Sequence, residues 1–202
     1  MAAVEGRPVA SEFSVARKAM IDSQLRVSGV NAGFVLERMG SVAREDFVPE
    51  AAREIAYMDR AIALGDGRHL AAPLVHGQML EAAAPTAEDK VLLVDGGSGY
   101  MAELLRPLAG SLETVSPEMA LEKSRKKGDF TLLVIDGAVE EIPETLARRV
   151  AEDGRIVTGL VTRGLTRLAV GRKIAGEIAL IPLADIGIPI LPEFAAKKGW
   201  SF

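Results

Sequence analysis

With 202 residues, 49% of them hydrophobic and 26% charged, the chain has the make-up of an ordinary globular protein and the length of one large domain, 1–202. A formal charge of -4, with no Lys/Arg cluster beyond Lys123 to Lys127, argues against nucleic acid as a partner, and the absence of cysteine excludes disulfides, thiolate nucleophiles and Cys-based metal sites. Two separated histidines do not suggest a metal site; no apolar stretch reaches bilayer length, and Met1 to Phe13 lacks the hydrophobic block of a signal peptide, so no metal, no membrane contact and a cytoplasmic location are expected.

The first dozen residues carry no period and read as a loose tail. From Phe13 a helical stripe of Phe13, Ala16, Met20 and Val27 runs to a stop at Ser28-Gly29. Asn31 is the expected N-cap of a second helix carrying Val35 and Met39, and a third helix is expected from Pro49 to about Tyr57. Residues 1–60 thus read as a tail and helical cap on a core of 61–202. Gly65-Asp66-Gly67 marks a turn, and Pro73 opens a helix that buries Val75, Met79 and Leu80.

Lys90 to Val94 is a continuous apolar run of the kind found in central parallel strands, and it enters Asp95-Gly96-Gly97-Ser98-Gly99-Tyr100. Met101 to Leu108 reads as helical until Pro107, and Ser111 to Ser116 alternates like a strand at a sheet edge. Pro117 to Lys127 is expected as a helix with a solvated basic end, followed by a strand from Phe130 to Ile135 and a loop from Asp136-Gly137. Pro143 to Ala151 is expected helical with Leu146 and Val150 on one side. Gly154 to Val161 reads as a strand, and Leu168 to Ile174 with Glu177 to Leu183 as a hairpin turning at Ala175-Gly176. The order predicts an α/β, doubly wound, mostly parallel sheet, Rossmann-like, with an N-terminal helical cap and a C-terminal antiparallel hairpin. Only 13 residues separate Ser116 from Phe130. That is room for one crossover helix and not for a further strand as well.

Several segments together resemble one family. Met20-Ile21-Asp22-Ser23-Gln24-Leu25, Ala43-Arg44-Glu45-Asp46-Phe47-Val48-Pro49, Ala56-Tyr57-Met58-Asp59, Lys90 to Tyr100 and Gly137-Ala138-Val139-Glu140-Glu141-Ile142-Pro143 occur in the order seen in protein-L-isoaspartate O-methyltransferases. Leu191-Pro192-Glu193-Phe194 and Trp200-Ser201-Phe202 look like a divergent bacterial branch. The resemblance implies a class I methyltransferase fold with S-adenosylmethionine at the carboxyl ends of the first two strands. It also implies methyl transfer to the α-carboxylate of isoaspartyl residues in a damaged protein or peptide. Because that oxygen is already anionic, such a step needs alignment more than a general base.

Against this pattern several ligand-facing positions differ. The family's loop follows an acidic residue and reads Gly-x-Gly-x-Gly; here Leu93 and Asp95 stand at the acidic and first glycine positions, while Gly97, Ser98, Gly99 and Tyr100 keep the rest. The Asp95 carboxylate could take a hydrogen bond from the ligand, or repel it and strain the turn; strain or vacancy is the expectation. Ser116 replaces the carboxylate that holds the ribose, and Glu118 lies two residues beyond it. The third strand, which forms the adenine wall in the family, is expected to be missing. Losing a charge-assisted hydrogen bond costs about 1.5–3 kcal/mol, and losing the wall as well would move micromolar binding towards millimolar, about 4 kcal/mol.

On the substrate side Ala71-Ala72-Pro73 replaces Ser-Gln-Pro. His69 reads as a half-buried loop histidine or a substitute polar contact at the acceptor, and His76 as a packing histidine. Asp136 ends a strand where ligand-facing residues sit, or caps the turn before Gly137. Glu140 and Glu141 read as acids at a helix start. A dinucleotide fingerprint, Gly97-Ser98-Gly99-Tyr100-Met101-Ala102, is a weaker match. Two readings follow: a carboxyl methyltransferase with a rebuilt pocket, or a non-catalytic relative that serves as a binding or structural module, with a homodimer left open.

Overall fold

The computed structural model describes residues 10–123 and 128–196. Of the expected tail of a dozen residues, the part up to residue 9 lies outside them, while Ala10, Ser11 and Glu12 are helical and not loose; most of the basic end of the 117–127 helix and Trp200-Ser201-Phe202 also lie outside. Helix α1 (Ala10–Met20) passes into a π turn (Ile21–Leu25) and a 3-10 turn (Arg26–Ser28), ended by Gly29 at φ 91. The helical stretch therefore stops where the sequence predicts. Val27, however, is exposed, because the extra residue of the π turn rotates the stripe so that Leu25 follows Met20 into the core. Helix α2 (Gly33–Ser41) starts from Ala32, not Asn31, and the Glu81 carboxylate accepts from the backbone N–H groups of both. The third helix expected from Pro49 to about Tyr57 is a 3-10 helix, Glu50–Ile55, and a separate 3-10 turn, Arg44–Phe47, precedes it.

Gly65-Asp66-Gly67 turns a short antiparallel hairpin, β1 (Ile62–Gly65) with β2 (Arg68–Leu70), where the sequence alone predicts only a turn. Helix α3 (Pro73–Ala83) begins at Pro73 and buries Val75, Met79 and Leu80. The main sheet contains β3 (Lys90–Val94), β4 (Ser111–Val115), β5 (Phe130–Val139), β6 (Val150–Thr162), β7 (Leu165–Ile174) and β8 (Glu177–Asp185), in the order β4-β3-β5-β6-β7-β8. Strands β3 to β6 run parallel, while β7 pairs antiparallel with β6 and β8 antiparallel with β7.

The continuous apolar runs are explained by cover on both faces. Val91, Leu93, Leu132 and Val134 join the core under the N-terminal helices, α3 and α4 (Tyr100–Leu105). Leu92, Val94, Leu133 and Ile135 join a second core with Ala120, Leu146 and Phe194. Strand β4 is the sheet edge, and the crossover after it contains only α5 (Pro117–Ala120) among the described residues.

Helix α5 is shorter than the expected Pro117 to Lys127, and α6 (Glu144–Ala147) is shorter than Pro143 to Ala151 because β6 already begins at Val150. Asp136-Gly137 does not begin a loop. Strand β5 continues through it with an irregular register, because Ala138 finds a parallel partner in Ile190. The C-terminal hairpin stands, with Ala175 and Gly176 both at positive φ, and a second turn of the same kind at Arg163-Gly164 extends it into a three-stranded meander. No helix among the described residues is long and apolar enough to cross a membrane.

Candidate functional site

The chain leaves β3 for β4 on one side, and β5 lies on the other. In an open α/β sheet this reversal opens a crevice outside the carboxyl ends of the strands. The loop Asp95 to Gly99 lies there. Gly97 and Gly99 have φ of 108 and 74, which favour glycine, and a Cβ on Gly96 would collide with the Asp136 carbonyl. Asp95 is not among the positive-φ residues. The expected strain is therefore not seen in its backbone torsion; its carboxylate instead accepts from Gly97 N–H at 3.2 Å and from Gly99 N–H at 3.0–3.1 Å. Ser98 Oγ accepts from Tyr100 N–H at 3.1 Å. Three loop amides thus have partners within the loop. Burial, and next the Asp136 charge, push the Asp95 pKa up against the pull of the two amides.

Arg68, at the start of β2, lies against this loop. Its side-chain stem is 3.2–3.4 Å from where a Cβ on Gly97 would stand, although Gly97 keeps an exposed face. The guanidinium donates to Glu193 at 2.8 and 3.2 Å and to Glu118. Burial opposes its charge, yet Glu193 and then Glu118 raise its pKa. The Glu118 carboxyl is held below its ordinary range by the Ser116 hydroxyl, its own backbone amide and then Arg68.

Under the loop lies a buried polar chain. Arg44, fully buried, donates to the carbonyls of Ala56 (2.7 Å) and Ala71, and its Nη1 is 3.1 Å from His76 Nδ1. Arginine only donates, so Nδ1 accepts and the Nε2–H of His76 donates to Asp136 Oδ1 at 3.0 Å. The Tyr100 ring covers the Arg44 guanidinium at 5.0 Å and meets the His76 ring edge-on at 5.2 Å. Burial pushes the Arg44 pKa down, against the pull of Tyr100 and Asp136. Beside it Arg17 donates to Tyr57 Oη at 2.7 Å and to Glu45 at 3.0 Å, which ties α1 to the 3-10 turns. The Tyr57 pKa is raised, first by burial and then by its hydrogen bond to Glu45.

Of the residues expected at the site, Asp95, Gly97, Ser98 and Gly99 do come together at the crevice. Tyr100 is buried beneath it. Ser116 Oγ accepts from Met119 N–H as the N-cap of α5. Asp136 lies within β5 and binds His76, so the turn-cap reading fails. His69 is exposed on β2 and not half-buried in a loop, whereas His76 packs in the core as expected. Glu140 and Glu141 precede α6 without starting it; their amides donate to the Phe194 carbonyl. Arg68, Glu193 and Arg44 are site residues that the sequence alone does not single out. Arg44 and Glu193 sit inside segments that carry the family resemblance, but nothing local marks Arg68, because its partners lie 50 and 125 residues away.

Comparison with known proteins identifies the family and the fold. The family model described as Protein-L-isoaspartate(D-aspartate) O-methyltransferase (PCMT) matches residues 15–127. The protein-L-isoaspartate O-methyltransferase 2 of Anaeromyxobacter sp. (strain Fw109-5) is 34% identical over 165 residues, covering 70% of this chain and 68% of that protein. The protein-L-isoaspartate O-methyltransferase of Koribacter versatilis is 31% identical over 202 residues, covering 88% and 91%. A beta-aspartate methyltransferase (PCMT) from Plasmodium falciparum, crystallised in complex with S-adenosyl-L-homocysteine, superposes with a TM-score of 0.69 at 18% identity over 88% of this chain and 98% of that one. At that identity the structure speaks for a shared class I methyltransferase fold, while the matched segment and the bacterial relatives speak for descent. The chain belongs to the protein-L-isoaspartate O-methyltransferase family.

Proposed function

We propose that this chain is a family member with a degraded cofactor site, which binds S-adenosylmethionine weakly or not at all and acts as a binding or structural module. The observation that carries this reading is Arg68, lying against Gly97 and fastened by Glu118 and Glu193 across the crevice. Three further features support it. The Gly97 and Gly99 amides are engaged by Asp95. Ser116, where the family has a ribose-binding carboxylate, spends its hydroxyl on a helix cap. Strand β4 is the sheet edge, with no strand beyond it among the described residues to back an adenine ring. On this reading the residues present do not fit an adenosyl ligand, and no methyl-transfer step is derived through them.

The competing reading, a working carboxyl methyltransferase with a rebuilt pocket, draws on the family membership and on the exposed face that Gly97 retains. Its acceptor would be an isoaspartyl carboxylate in a protein or peptide. Calorimetric titration of the purified chain with S-adenosylmethionine separates the two. A dissociation constant of about 10 μM or tighter, roughly 7 kcal/mol of binding, would overturn the degraded-site reading. Clear labelled methyl transfer to an isoaspartyl peptide would restore the enzyme.

A further inference from the structure

The segment following β8 runs back across the carboxyl end of β5 as a strap. Ala138 N–H donates to the Pro189 carbonyl at 2.7 Å, and Leu191 N–H to the Ala138 carbonyl at 2.9 Å. Glu140 N–H and Glu141 N–H both donate to the Phe194 carbonyl, and Ala196 N–H donates to Glu140 Oε2 at 2.7 Å. Leu191 and Phe194 are buried, and Leu191 sits so tightly on Gly137 that a Cβ there would come within 2.5 Å of its Cγ. One side of the strap therefore has a shaped apolar seat. Its other side carries Glu193, which is where Arg68 takes hold.

We propose that Arg68, gripping Glu193 on the strap and Glu118 at the start of α5, is a clasp that fastens the C-terminal strap over the crevice and makes the closed state a property of this chain's own contacts. Arg68 joins three segments: the β1–β2 hairpin, the first turn of α5 and the strap. The Glu193 side of the clasp is partly sheltered, while Glu118 is largely exposed. Exposed ion pairs contribute little to global stability. Releasing the clasp therefore loosens the strap and leaves the sheet intact, which makes it a gate and not a pillar of the fold.

The inference rests on the reading that the crevice is closed in this chain, and it is tested by a separate measurement. Hydrogen exchange is followed by mass spectrometry on the full chain, wild type and the variants Arg68→Ala and Glu193→Gln. The amides to watch are those that bond the strap to the sheet, Leu191 and Ala196 on the strap and Glu140 and Glu141 at the end of β5; the reference amides are those of the β3–β5 ladder, including Leu93 and Val134. Both variants should speed strap exchange by about tenfold while the ladder is unchanged, the pattern of local opening. Unchanged strap exchange in both variants would overturn the clasp. An equal acceleration of strap and ladder would do the same, since Arg68 would then be a general stabiliser. Tight binding of S-adenosylmethionine by the wild type sinks the closed-crevice reading instead, so the two failures are distinguishable.

Discussion

His76 Nε2 stands 3.0 Å from Asp136 Oδ1, and its Nδ1 faces the Nη1 of Arg44 at 3.1 Å, so one fully buried imidazole links the N-terminal cap to the strand beneath the crevice. It satisfies a buried donor and a buried acceptor at once. Replacing it with alanine leaves Arg44 short of one acceptor and Asp136 short of a donor, in a site where water cannot readily substitute. His76→Ala should lose about 2–4 kcal/mol of stability, read as a lowered midpoint in urea. A loss below about 1 kcal/mol would mean that the His76 contacts to Arg44 and Asp136 do not hold the fold as argued.

The two aspartates with shifted pKa values should act in opposite directions on stability. Asp95 is raised, by burial first and by Asp136 next, so the folded state holds its proton more firmly than the unfolded one. Stability contributed by Asp95 falls as pH rises from the ordinary carboxylate value through its raised folded value. Asp95→Asn keeps an oxygen for the Gly97 and Gly99 amides, and it should be more stable than wild type at pH 7. The gain should shrink on acidification below the ordinary carboxylate range. Asp89 is lowered: although burial works against its charge, hydrogen bonds from Arg155, Thr131 and Thr86 outweigh it. Its stabilisation is present above the ordinary value and is lost as pH falls through the lowered one. Asp89→Asn should flatten the acid limb of the stability curve, and urea unfolding at a series of pH values tests both signs.

Gly137 and Leu191 are matched in shape. A methyl on Gly137 would meet Leu191 Cγ at 2.5 Å and Cδ1 at 2.7 Å. Gly137→Ala should lose about 1–3 kcal/mol by overpacking. Leu191→Ala removes the colliding group, so the double variant should recover part of that loss. A double-mutant cycle with no coupling would show that the strap is not seated as described.

Arg17 secures the first helix through Tyr57 and Glu45. Arg17→Ala should cost about 1–3 kcal/mol and open the cap to limited proteolysis before the core. Cleavage confined to the sheet loops would contradict that assignment.

The features legible in the sequence are those that neighbouring residues decide. Val91 to Val94 read as a strand because cover on both faces leaves them no polar position, and Gly29 and Gly176 mark turns because their φ values are positive. The short link between Ser116 and Phe130 likewise announces an edge at β4. The features that stay hidden depend on distant partners. Asp136-Gly137 looks like the start of a loop, yet Ile190, some fifty residues on, keeps Ala138 in a strand. Val27 leaves its stripe because of one π turn that no local residue announces. The glycine loop is recognisable from its own residues, but the role of Asp95 within it, and the presence of Arg68 above it, follow from a geometry that only the folded chain brings together.

The strap that seats on Ala138 and Glu140 comes from residues 186–196, which follow every strand among the described residues. A product trimmed of residues 186–196 would leave Gly137 without its covering leucine and bare an apolar seat that the intact chain withholds.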